Sequence, residues 1–196
     1  MHGKTSRWLV LVGALAALAA PALADAQTGW NNGYFLVGGG YRSFRSGSLR
    51  GAFDPGGTWD ARLGIGNGTF LGFEAAYVGS YQNGKSGRPN MLTNGAEGVV
   101  RLQAPIGTKA FLVEPFAFGG IGWNYVSLMH APSTIANHEN IGTIPFGAGV
   151  TLGAGGFLVD ARFTWRKTFD DKIQLGTDGS KNLENYDVTA NVGFAF

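Results

Sequence analysis

Residues 157–166 read Phe157-Leu158-Val159-Asp160-Ala161-Arg162-Phe163-Thr164-Trp165-Arg166. From Val159 onward each apolar residue is followed by a polar or charged one, the two-residue period of a strand with unlike faces. One face holds Phe157, Val159, Ala161, Phe163 and Trp165; the other holds Asp160, Arg162, Thr164 and Arg166. A soluble sheet would turn the aromatic face to its core and the charges to water. A strand crossing lipid does the reverse, so the rest of the chain has to decide between the two.

The same alternation predicts eight strands, near 33–44, 57–66, 69–82, 95–106, 111–127, 142–153, 156–169 and 184–196. In the second, Trp59, Ala61, Leu63 and Ile65 oppose Asp60, Arg62 and Gly64. The fourth sets Val100, Leu102 and Ala104 against Glu97, Arg101 and Gln103, and the last sets Tyr186, Val188, Ala190, Val192, Phe194 and Phe196 against Asp187, Thr189 and Asn191. Connections alternate in length. Gly66-Asn67-Gly68, Gly107-Thr108-Lys109 and Gly153-Ala154-Gly155 have tight-turn compositions. Segments 45–56, 83–94, 129–141 and 170–183 are longer and polar. Long loops at one end and short turns at the other are the layout of a membrane barrel.

Composition points the same way. Among 196 residues are 33 Gly, 14 Phe, 6 Tyr and 5 Trp, and only 14% are charged, against roughly 25% in soluble domains. Gly recurs too often for helices of any length. The absence of cysteine excludes disulfide scaffolds, Cys-based zinc sites and thiol nucleophiles. A net charge of +2 gives no basis for nucleic-acid binding. Lys4 and Arg7 precede an unbroken apolar run over 8–20, followed by Pro21 and the small-residue sites Ala22-Leu23-Ala24 and Ala24-Asp25-Ala26. That is the anatomy of a secretory signal peptide, residues 1–24, cleaved after Ala24 or alternatively after Ala26. The run spans only about 20 Å as a helix, short of the ~30 Å hydrocarbon core.

In an exported chain with this patterning, the charged face must point inward, because an Arg or Lys facing lipid at the midplane costs ~2–4 kcal/mol. The inward set is Arg42, Asp60, Arg62, Glu74, Glu97, Arg101, Glu114, Asp160, Arg162, Arg166 and Asp187. The sheet must also close on itself, since an open edge in lipid leaves backbone groups unpaired. The expected fold is therefore all-β: an eight-stranded antiparallel up-and-down transmembrane β-barrel over residues 30–196. Pro115 and Pro145 fall inside strands and call for a bulge or a locally missing hydrogen bond. Phe116 and Phe118 point inward and should fill the lumen. A soluble sandwich with the aromatics in its core remains the alternative.

The leader, the eight strands, the alternating loop lengths and the final Phe194-Ala195-Phe196 resemble the small outer-membrane barrels of the OmpA/OmpX type, over essentially all of residues 30–196. The resemblance implies residence in the bacterial outer membrane. It also implies that Phe194 and Phe196 form the terminal signal read by the barrel-assembly machinery. That signal usually has a Gly five residues before the end, where this chain has Asn191.

The inward charges read either as a gated ion path or as a satisfied network that fixes the barrel, and the small lumen favours the network. His130 and His138 lie near Ser127, Ser133 and Glu139, yet no His–Ser pair is legible on a strand face, as nucleophilic catalysis would need. Catalytic residues, metal and cofactors are accordingly not expected. Trp59, Trp123, Trp165, Tyr41, Tyr125 and Tyr186 face outward toward the long loops, and Phe35, Phe73, Phe157, Phe194 and Phe196 toward the turns, as interfacial girdles do. Arg45, Arg50, Lys85, Arg88, Lys167 and Lys172 ring the loop end, suited to lipopolysaccharide phosphates and diluted by Asp170, Asp171 and Asp178. The expected protein is a monomeric, non-enzymatic barrel among outer-membrane lipids that contributes to envelope integrity and presents surface loops. An adhesin, a small gated pore and a lipid A-modifying enzyme are the alternatives.

Overall fold

The computed structural model describes residues 33–108, 110–129, 138–169 and 183–196. The leader, with both cleavage sites, lies outside the described residues, as do His130, Ser133, Asp170, Asp171, Lys172 and Asp178. The strands are β1 (Gly33–Phe44), β2 (Gly56–Ile65), β3 (Leu71–Gln82), β4 (Asn90–Gln103), β5 (Ile106–Gly107), β6 (Leu112–Met129), β7 (His138–Ala154), β8 (Phe157–Phe169) and β9 (Asn185–Ala195). A single helical turn and a half, α1 (Gly47–Ala52), follows β1. The two-residue β5 only extends the β4–β6 turn, so eight long strands make the wall.

Each long strand pairs antiparallel with its neighbour, β4 with β6, and β9 returns to β1 through a ladder running from Tyr34↔Ala195 to Phe44↔Asn185. That last ladder closes the barrel. The first and last described residues meet at the turn end: Gly33 N–H donates to the Phe196 carbonyl at 3.2 Å, and Phe196 N–H donates to the Gly33 carbonyl at 2.8 Å.

The period of two sets what each face meets. Leu63, Ile65, Phe73, Tyr77, Val100, Leu102, Ile121, Trp123, Val188 and Val192 stand exposed on the outside, while the polar parity is buried inside. This inversion excludes the soluble sandwich, whose aromatics would be the buried set. Tyr34 and Leu36 point inward with Leu158 and form a small apolar floor at the turn end.

Several boundaries differ from the sequence expectation, for physical reasons. β4 begins at Asn90 rather than near 95, and β7 at His138 rather than near 142. Beyond the apolar band the outward residues need not be hydrophobic, so strands that continue there, with Asn94 and Asn140 facing out, lose the pattern that marks them. The β7–β8 turn is centred on Gly155 and Gly156, with φ of +55° and +86°, one residue later than Gly153-Ala154-Gly155. Positive φ at both central residues is what a two-residue type I′ hairpin demands. Pro145 interrupts its ladder: between Gly119↔Phe146 and Gly122↔Thr143 the intervening residues of β6 and β7 do not pair, with no change of register. At Pro115 the register runs through unbroken, and its carbonyl accepts from Ala104 N–H at 3.0 Å.

The wall predicts a sharp contrast between its faces. Val100 is 42% exposed on the outer face, whereas the adjacent Arg101 is 1% exposed. Val100→Arg should lower stability by ~2–4 kcal/mol in a bilayer refolding titration if the position lies near the midplane. A neutral result would take that face out of the lipid.

Candidate functional site in the barrel lumen

All eleven charged residues assigned inward from the sequence lie inside the barrel, none more than 5% exposed. They form two layers. Toward the turns, Glu74 is the hub. Its Oε1 accepts from Arg62 Nη1 at 2.7 Å and from Arg162 Nη1 at 2.8 Å. Its Oε2 accepts from Arg162 Nη2 at 3.2 Å and Arg101 Nη1 at 3.4 Å. Tyr34 Oη donates to the same oxygen at 3.0 Å while accepting from Arg101 Nη1 at 2.9 Å.

The outlying carboxylates complete the layer. Asp60 Oδ1 accepts from Arg62 Nε at 2.9 Å, and Asp160 holds both Nε and Nη2 of Arg162, at 2.7 and 2.9 Å. Asp160 accepts further bonds from Thr151 Oγ1 and Asn191 Nδ2, both at 3.1 Å. Glu114 meets Arg101 Nη2 at 3.5 Å and accepts the Gly68 N–H at 2.9 Å, so it fastens the β2–β3 turn under the lumen. In that turn Gly66 and Gly68 have φ of +93° and +76°.

Toward the loops, Arg166 bridges Glu97 and Asp187, donating Nε and Nη2 to Glu97 and Nη1 to both oxygens of Asp187. Arg42 donates Nη2 to Asp187 at 2.8 Å and Nη1 to Ser80 Oγ at 3.0 Å. This layer balances two arginines with two carboxylates.

Local sequence makes room for both layers. A Cβ on Gly64 would lie 2.2 Å from the Tyr34 ring, so only glycine lets that ring reach Glu74. Phe116 and Phe118 fill the space between arginines: the Arg101 guanidinium lies 3.8 Å from the Phe116 ring centre, and that of Arg162 lies 5.1 and 5.5 Å from the two rings. Such contacts suit arginine, whose planar, weakly hydrated head stacks where an ammonium would not.

Above the second layer the lumen turns apolar. Leu49, Ala52 and Phe53, from α1 and the residue after it, pack with Phe44, Met91, Val126, Leu128, Ile141 and Leu183. The first long loop is therefore a lid folded into the mouth. Nothing in its glycine- and serine-rich sequence announced this, although Leu49 and Phe53, spaced by four, were the available signal. The lid is tied to the second loop by Lys85 N–H to the Ala52 carbonyl, Asp54 N–H to the Asn83 carbonyl, and Lys85 Nζ to the Arg50 carbonyl, each at 2.8 Å.

The remaining sequence candidates separate. Ser127 and His138 are directly opposed in the β6–β7 ladder and share the outward face, which corrects the reading that no such pair occupies a strand face. The pairing was hidden because β7 starts four residues earlier than its pattern. Even so, the His138 ring stacks on Tyr125 at 5.9 Å and makes no hydrogen bond to Ser127, and Glu139 has the opposite parity. Arg45 lies 5.1 Å over the outward Trp165 ring and pairs with Glu184 at 3.0 Å, whereas Lys85 pairs with Asp54 at 3.4 Å. Phe194 packs edge-on against Phe157 at 5.5 Å, and Phe196 is exposed at the closing seam.

Removing the hub should be far costlier than removing a loop pair. Glu74→Ala leaves three buried guanidiniums without their shared acceptor and should cost about 3–5 kcal/mol in lipid-bilayer urea titrations. Lys85→Ala breaks an exposed pair and should cost about 0–1 kcal/mol. Comparable losses would mean that the Glu74 layer is freely hydrated.

No curated protein matches the chain. Among solved structures, the fold is similar to Neisserial surface protein A at 15% identity and a TM-score of 0.63, covering 84% of this chain and 97% of that one. It is similar to the N-terminal β-barrel domain of Pseudomonas aeruginosa OprF at 13% identity and 0.54, covering 85% and 98%. The attachment invasion locus protein Ail of Yersinia pestis matches at 9% identity and 0.52, covering 85% and 99%. A family model described as the outer membrane protein beta-barrel domain matches residues 10–196. With that match over a closed eight-stranded wall, the chain belongs to the outer-membrane β-barrel family and is a protein of the bacterial outer membrane.

Proposed function

We propose that this protein is a sealed, non-enzymatic barrel that contributes to envelope integrity and uses its wall as a rigid support for surface loops. The observation that carries the reading is the occupied lumen. Two layers of buried ion pairs, aromatic fillers and an apolar lid stand in series along the axis, and a small barrel filled by side chains has no aqueous channel. Among the described residues, the Ser127–His138 pair has neither the hydrogen bond nor the orienting acid of an activated nucleophile, which speaks against a hydrolase.

Lipopolysaccharide is the proposed lipid partner. Arg45 on the Trp165 ring and the exposed Lys167 two residues further along β8 lie at the loop end, where cations favour headgroup phosphates. The barrel-assembly machinery is the proposed partner in biogenesis, through Phe194 and Phe196. In this reading the protein acts as a monomer. Surface recognition is a second reading, favoured by the loop end alone, since binding residues concentrate on loops held by rigid scaffolds.

Purified protein in planar bilayers should give no steady conductance, and a deletion strain should become sensitive to detergent and bile salts. Replacing residues 130–137 by Asn-Gly should preserve heat-modifiable mobility and complement that sensitivity. A barrel that inserts but fails to complement would move the function to the loops, and a steady conductance would defeat the sealed barrel.

A further inference from the structure

Between the upper ion-pair layer and the lid lies a cavity of about 30 Å³, bounded by Arg42, Ser80, Gln82, Asn124 and Asn185 below and beside it and by the apolar lid above. Four of these residues carry buried polar atoms with no protein partner: Arg42 Nε, both amide atoms of Gln82, Asn124 Oδ1 and Asn185 Oδ1. Gln82 is the most telling, since it is 1% exposed and neither end of its amide is used. Buried polar groups almost always have partners, and a buried amide left wholly unpaired would be a standing penalty. We infer that this chamber is a binding site for one or two trapped water molecules, which bridge Gln82 to Arg42 and the neighbouring amides.

The donor set selects water over an ion. Arg42 in the wall repels a cation, and Asp187 and Glu97, in the layer below, are already engaged by Arg42 and Arg166. An anion would face three amide oxygens, whereas water donates to those oxygens and accepts from Arg42 Nε and Gln82 Nε2. The volume suits it as well, because a water needs roughly 10–15 Å³ of such space and two to four polar partners. Among the described residues, the chamber lies between two packed layers. The ion-pair layer is its floor, and the lid, held by the Lys85 and Asn83 bonds, is its roof. The waters are therefore part of the fold rather than a stretch of conducting path.

The test uses the full refolded barrel. A crystal structure that resolves ordered solvent should show one or two peaks within hydrogen-bond reach of Gln82 and Arg42 Nε, and an empty chamber overturns the inference. Gln82→Leu and Gln82→Met keep the volume but remove the amide, so the two models predict opposite signs. With bound water, both variants strand the remaining groups and lower the midpoint of the heat-modifiable transition. In a dry chamber they remove an unsatisfied amide, so an unchanged or higher midpoint in both overturns it.

Discussion

The β1–β9 seam is the constraint from which the rest of the structure follows. In hydrocarbon each unpaired backbone N–H or C=O costs several kcal/mol, and no water is present to satisfy it. The ladder from Tyr34↔Ala195 to Phe44↔Asn185 removes the last two edges of the sheet, and the reciprocal bonds between Gly33 and Phe196 finish it at the turn end. Once the wall is closed, every residue belongs either to lipid or to the lumen. That is why exposed and buried residues alternate along most of β2, β3, β8 and β9.

Closure also creates the problem that the lumen solves. Polar groups turned inward leave water, and a buried charge is tolerated only when paired and hydrogen-bonded. Among the described residues, all five inward cations are arginines. Each guanidinium offers five donors in a fixed fork, so one residue can join carboxylates on different strands. Arg162 on β8 joins Glu74 of β3 to Asp160 of its own strand, and Arg166 joins Glu97 of β4 to Asp187 of β9. These bridges tie opposite sides of the wall together and complement the backbone ladders, which tie only neighbours. In the proposed sealed barrel, the same filling that stabilises the wall takes the place of a conducting path.

The loop end follows different rules. There the strands continue with mixed outward residues, and the first loop folds back to bury Leu49, Ala52 and Phe53 in the mouth. A membrane barrel thus carries a small apolar core of ordinary soluble kind at its mouth, with a hydrated chamber trapped between that core and the ion pairs.

How much of this could be read from sequence depends on the range of the interaction. The period of two, the inward parity of all eleven charges and the inverted faces were legible, because each depends only on a residue's immediate neighbours and the solvent outside the wall. Strand limits were legible within the apolar band and failed beyond it, at Asn90 and His138, where the environment no longer distinguishes the faces. What only the tertiary structure decided is partnership. Arg162 and Glu74 are 88 residues apart, and Arg166 and Glu97 are 69 apart; any inward arginine could have met any inward carboxylate until the register of every ladder was set. The Ser127–His138 juxtaposition, the folding of α1 into the mouth and the unpaired amide of Gln82 share that origin. Alternation is a local property of the chain, whereas contact across the lumen exists only after the seam has closed.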